Sequence, residues 1–186
     1  MRKILIVVDY QKDFVIGNMG SKYAEALEEP IYNKIQEYRA NGDLVGFIRD
    51  THDENYLNTR EGRLIPYPHC LPDTEGWQLY GKVKDCLKED DPKFYKKAFG
   101  SIDLALYLKA HEEEIDAVEL CGIAAHGCVF NNVILAHSAL PEAEIIVDAE
   151  CVASVHEKSK FFALDWLCGM GCTVLNYECQ NLLSYN

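Results

Sequence analysis

The sequence predicts a three-layer, doubly wound α/β fold, a mostly parallel six-stranded sheet with helices on both faces. Three observations predict it. Short runs rich in β-branched residues and leucine, such as residues 4–8 (ILIVV), lack polar alternation, as expected of strands buried on both faces of a parallel sheet. Segments of helical periodicity separate these runs, so strand and helix alternate along the chain. Repeats, low-complexity tracts and linker-like compositions are absent. The 186 residues suit one domain, 1–186, burying roughly 70% of its unfolded surface.

Taken in order, residues 4–8 form the first strand, which ends at Asp9. Residues 22–38 read as a helix stopped by Asn41, Gly42 and Asp43. Residues 44–49 (LVGFIR) are the second strand, followed by Asp50. The polar segment 51–72 exceeds ordinary loop length, and such segments tend to carry function. Residues 74–88 read as a turn and a weak helix, 93–97 (KFYKK) as the third strand, and 101–114 as a helix capped by Ser101. The fourth strand is 117–123 and its helix 128–140. The fifth strand is 144–148, the next helix 154–168 and the sixth strand 172–176, with Gly169 and Gly171 ending the last helix.

A net charge of −12 and a pI near 4.9 argue against nucleic acid or an anionic membrane surface as partner. No stretch approaches the roughly 18 apolar residues of a membrane span. Arg2 and Lys3 precede an apolar run that meets Asp9 without a small-residue cleavage site, so the segment reads as a strand and a cytoplasmic location is expected. The eight cysteines (Cys70, Cys86, Cys121, Cys128, Cys151, Cys168, Cys172 and Cys179) form no CxxC pair. In a reducing compartment most should be free, buried and inert.

Ligands of doubly wound folds bind at the carboxyl ends of the strands. Here those ends offer Asp9, then Asp50 with His52, then Lys96 or Lys97, then Cys128. The DYQKDF turn after the first strand lacks the glycines of a phosphate loop, which disfavours a nucleotide site. Cys128 begins a helix, a setting that favours thiolate over thiol. Asp9 can serve as its base, a strand-end lysine as the positive charge, and backbone N–H groups of residues 124–128 as oxyanion donors. Asp50 and His52 share one face of an extended segment, and His69 can complete a metal set suited to zinc, manganese or iron. Two solvent-exposed loop histidines are the alternative reading of that spacing.

The order Asp9, Lys96, Cys128, in the contexts VVDYQKDF, KKAFGS and CGIAAHGCV, resembles the isochorismatase-like cysteine hydrolases over nearly the whole chain. The resemblance implies an Asp-Lys-Cys triad with Lys96 as its lysine, a cis peptide at Ile123–Ala124, and an oxyanion hole from the N–H groups of Ala124 and Cys128. D-x-H followed by P-H-C resembles the nicotinamidase branch. That implies a divalent metal, zinc favoured over manganese or iron, on Asp50, His52 and His69, with Glu61 aligned to a further ligand.

The branch implies hydrolysis of nicotinamide to nicotinate and ammonia through a thioester on Cys128, a step of NAD salvage. Phe14 aligns with a pocket wall, and Tyr67 and Phe99 are further pocket candidates. A small-molecule amide is the implied partner, with a homo-oligomer as the expected assembly. Two other readings stay open: the same triad acting on another small amide or ureido compound, or a non-catalytic binding protein on this fold. His126 departs from the family pattern; it lines the pocket, lines an interface, or is a surface histidine.

Overall fold

The computed structural model describes residues 2–180; Met1 and residues 181–186 of the expected 1–186 domain lie outside the described residues. Six strands, β1 (Arg2–Val8), β2 (Leu44–Asp50), β3 (Lys93–Lys96), β4 (Ile115–Ile123), β5 (Glu144–Ala153) and β6 (Thr173–Leu175), form one sheet in the order β3-β2-β1-β4-β5-β6. Every neighbouring pair is parallel. The predicted fold class is therefore the observed one.

Alternation along β1 divides the interior into two cores. Ile4, Ile6 and Val8 face one side, where they meet Leu104 and Leu108 of α6 (Ile102–Ala110), Val133 and Ala136 of α7 (Phe130–Ala139), and Leu164 and Leu167 of α8 (Glu157–Gly169). Leu5 and Val7 face the other, against Val15 of α1 (Lys12–Val15), Ile31 and Ile35 of α3 (Glu28–Ala40), and Val83 of α5 (Gly81–Cys86). A strand with helices on both sides can afford no polar face, which is why β1 reads as an unbroken apolar run.

Several boundaries differ from expectation. The helix expected over 22–38 is two, α2 (Lys22–Glu25) and α3. Pro30 is the reason: in the first turn of α3 its missing N–H costs nothing, but inside a continuous helix its ring would clash with the carbonyl four residues back. The polar segment 51–72 holds a short 3-10 turn, Tyr56–Asn58, and α4 (Arg60–Leu64), capped by Thr59. β5 continues five residues beyond Asp148, because that carboxylate is met by Lys34 Nζ and Asn176 Nδ2, each at 2.9 Å, and so does not end the strand.

Six cysteines are buried and free, as expected of most. Cys168 and Cys179 instead form a disulfide. After β6 the chain folds back along α8, where Tyr177 Oη and Gln180 N both donate to Asp165 Oδ1 (2.8 and 3.1 Å). That return brings the two Cα atoms to 6.0 Å, within ordinary bridging distance.

Candidate active site

The strand order reverses between β1 and β4, and the candidate triad gathers there. Gly122 makes the close approach of these strands possible, since a Cβ there would lie 2.1 Å from Val8 O. Asp9 directly follows β1 and is a left-handed residue with φ of 51°. β3 delivers Lys96. After β4, the cis peptide Ile123–Ala124 expected from the resemblance is present, and residues Ala125–Val129 form a wide π-type turn carrying Cys128. The amides of Gly127 and Val129, on either side of Cys128, donate to Ala124 O (2.9 and 3.1 Å).

Lys96 is the hub. Its Nζ lies 2.8 Å from Asp9 Oδ2 and donates to Asp50 Oδ1 (2.9 Å) and Cys128 Sγ (3.3 Å). Strand alternation turns Lys97 outward, where it pairs with Asp53 at the surface. The choice left open by the strand end alone thus falls on Lys96, the lysine that the resemblance selected.

Burial dominates the electrostatics of the three groups. It pushes the Asp9 carboxyl up to about 6, with Lys96 opposing and Asp50 assisting. Asp9 Oδ2 is ion-paired with Lys96 Nζ at 2.8 Å. Burial lowers the Lys96 ammonium, yet Asp9, Cys128 and Asp50 together raise it well above its ordinary range. The Cys128 thiol is raised by burial and then by Asp9, with Lys96 opposing. The expectation from the helix start is thiolate, whereas burial and Asp9 push the other way, toward the thiol. A buried carboxylate that readily takes a proton is suited to act as the thiol's base.

Asp50 also belongs to the second constellation. Its Oδ2 lies 2.9 Å from His52 Nε2 and 3.3 Å from His69 Nε2, and His52 Nε2 lies 3.9 Å from Glu61 Oε1. One donor atom from each of Asp50, His52, Glu61 and His69 falls within 4.8 Å of the others. The spread of solvent-exposed histidines is thereby excluded: both rings are buried. His69 Nδ1 faces Tyr67 O at 2.7 Å, which fixes the proton there and leaves Nε2 to the cluster. Tyr56 packs its ring on both imidazoles, 4.5 Å from His52 and 4.9 Å from His69, and Phe14 lies 5.2 Å from His69. Burial, then Asp50, raises Glu61, while two hydrogen-bonded histidines and Lys96 overcome burial to lower Asp50. Two imidazoles and two carboxylates converging in this way fit a divalent transition metal.

Cys128 of the triad and Asp50, Glu61 and His69 of the second constellation line one cavity of about 300 Å³, together with Ala124 and His126. Phe14 and Phe99 line it as expected. Tyr67 does not: the residue is 58% exposed, and it contributes its carbonyl to His69 instead. His126 is both an exposed residue and part of the cavity wall, with Nδ1 and Ser154 Oγ 2.8 Å apart.

Three supporting residues escaped the sequence reading. Gln11 stands within the quoted DYQKDF segment but had no evident role. Tyr56 carried no signal at all. Asn132 lies one helical turn after Cys128, a spacing that could have drawn attention; its Nδ2 donates to Cys128 O (2.7 Å) and Phe99 O (3.1 Å), and its Oδ1 accepts from Ser101 N (2.9 Å).

Residues 3–179 match the isochorismatase domain family. An uncharacterized isochorismatase family protein, PncA, of Bacillus subtilis is 34% identical over 175 residues, 88% of this chain and 93% of that protein. Among solved structures, the pyrazinamidase/nicotinamidase of Streptococcus mutans is 30% identical with a TM-score of 0.83, covering 93% of this chain and 99% of its own. The pyrazinamidase of Pyrococcus horikoshii in complex with zinc is 25% identical with a TM-score of 0.81, covering 95% of this chain and all of its own. Among the described residues, no helix is long and apolar enough to cross a membrane.

Proposed function

Since the chain belongs to the isochorismatase family, we propose that this amidohydrolase is a metal-assisted nicotinamidase, converting nicotinamide and water to nicotinate and ammonia through a thioester on Cys128. One observation carries the reading: the buried Cys128 thiol and three of the four clustered donors, Asp50, Glu61 and His69, line a single cavity of about 300 Å³, a size suited to a small heteroaromatic amide.

Asp9 takes the Cys128 proton, and the sulfur attacks the amide carbonyl carbon. The N–H groups of Ala124 and Cys128 receive the developing oxyanion; the neighbouring amides of Gly127 and Val129 are already engaged. The tetrahedral adduct collapses, the carbon–nitrogen bond breaks, and Asp9 gives its proton to the departing ammonia. Water then attacks the thioester with Asp9 as base, nicotinate leaves, and the proton returns to sulfur. Lys96 remains protonated throughout and holds Asp9, Asp50 and Cys128 in register.

Asp50, His52, Glu61 and His69 would hold the metal, which would supply a Lewis-acidic position for the pyridine nitrogen, directly or through water. Zinc suits the donor set and is the metal named for the Pyrococcus horikoshii structure; manganese and iron suit it also.

The test is ammonia and nicotinate release from nicotinamide by the zinc-loaded protein and by Cys128→Ala. Turnover by the first and none by the second is expected. Undetectable nicotinamide turnover with metal present, alongside turnover of another amide or a ureido compound, would transfer the assignment to that substrate. Full activity of Cys128→Ala would refute the thioester.

A further inference from the structure

The carboxamide of Gln11 occupies a place where the sheet has no strand. β1 stops pairing with β2 at Val8, opposite Ile48, and the last backbone bond across the gap runs from Asp9 N to Ile48 O (3.0 Å). Alternate residues of a strand present their N–H and C=O to the same neighbour. Two residues after Ile48, Asp50 therefore turns both backbone groups toward the position that β1 would have filled. The chain has already left it through the left-handed turn at Asp9.

Gln11 fills the vacancy with its side chain. Its Oε1 accepts from Asp50 N at 2.8 Å, and its Nε2 donates to Asp50 O at 3.0 Å. The second Nε2 hydrogen goes to Trp77 O at 3.0 Å. The residue is fully buried, so water cannot replace any of these bonds.

We propose that Gln11 is a positioning residue that substitutes for a strand and thereby fuses the nucleophile and the metal set into one site. The residue it pins is the one that both halves share. Asp50 Oδ1 accepts from Lys96, while Oδ2 faces His52 and His69. Both contacts require one orientation of the carboxylate, and a backbone shift at Asp50 disrupts them together.

The metal half of this inference rests on the reading of the four-donor cluster given above; the nucleophile half does not. Two variants test it, Gln11→Met, which keeps the bulk and removes the amide, and Gln11→Asn, which keeps the amide one methylene short. Zinc affinity, read by competition with a chromophoric chelator, is expected to fall about 10- to 100-fold, as when other groups behind metal ligands are lost. Alkylation of Cys128 by iodoacetamide in the metal-free protein, followed at its own peptide, is expected to slow several-fold in the same variants.

Thr51→Val is the control. It removes the hydrogen bond from Trp77 Nε1 (2.9 Å) but leaves those of Gln11, and both readouts should stay at the wild-type level. Folded Gln11 variants with wild-type zinc affinity and labelling would overturn the proposal, as would equal losses in Thr51→Val. Should Gln11→Met fail to fold, Gln11→Asn decides. If the wild type binds no zinc, the reading of the four side chains fails, and the alkylation arm alone judges Gln11.

Discussion

Replacing Lys96 with methionine keeps most of its bulk and removes a cation from among three buried acidic groups. At an effective dielectric constant of about 20, a pair of unit charges about 2.8 Å apart attracts by roughly 6 kcal/mol. Asp9 and Asp50 both lie at such distances from Lys96 Nζ. Desolvation of the same groups cancels much of that gross attraction. Removing one member of a buried pair nonetheless costs about 3–5 kcal/mol, because its partners stay buried and charged.

Protonation gives this loss a pH signature. The Asp9 carboxyl already titrates at about 6 in the wild type, and without Lys96 it must titrate higher. Both pKa values stand above that of the unfolded chain. Below about 6 both folded proteins carry the proton and the deficit is least. Above about 6 only the variant retains it, and its deficit grows by up to about 1.4 kcal/mol per pH unit until its own pKa is passed. Urea unfolding of metal-free Lys96→Met and wild type, at about pH 5 and about pH 8, should therefore show the larger difference at the higher pH. Lys97→Met, at the surface, should match the wild type at both. An Lys96→Met deficit independent of pH, or an equal effect of Lys97→Met, would refute the assignment.

Three further outcomes follow from the same geometry. With Asp9 as base and its carboxyl near 6, kcat/KM for an amide should fall as pH drops through about 6; a pH–rate profile with its acid limb near the ordinary carboxylate value of about 4 would contradict this. Chelation should abolish turnover and zinc restore it, and zinc at about 100 times its Kd should stabilise the fold by about 2.7 kcal/mol in thermal unfolding. Asn132→Leu strands Cys128 O, Phe99 O and Ser101 N, and should cost about 2–4 kcal/mol in urea unfolding, whereas a loss below about 1 kcal/mol would show that the turn re-satisfies them.

The sheet was legible because burial on both faces leaves a direct mark, the unbroken apolar run of β1. Where a polar residue is rescued by a partner distant in sequence, the same logic fails. Asp148 reads as a strand end, but Lys34 and Asn176 let β5 run through it. The strand-end rule sorts chemistry by position and so brings Asp9, a strand-end lysine and Cys128 together, the resemblance singles out Lys96, and alternation puts Asp50 and His52 on one face. Gln11 was not legible, since its role depends on where β1 stops relative to β2. The direction in which the Cys128 thiol is pushed was not legible for a related reason. A helix start suggests thiolate, whereas burial and the neighbouring Asp9 depend on packing that local sequence does not express.

The two oxygens of Asp50 impose a reciprocity on the whole centre. One oxygen answers to Lys96, the other to the histidines that would carry the metal. A dication drawing on that carboxylate competes with Lys96 for a single negative charge. Thermodynamic linkage then requires the factor by which Lys96 changes metal affinity to equal the factor by which bound metal changes the contribution of Lys96. Substitutions in the two halves will not act additively, and a mutant cycle joining Lys96 to His69 measures the coupling that Asp50 transmits.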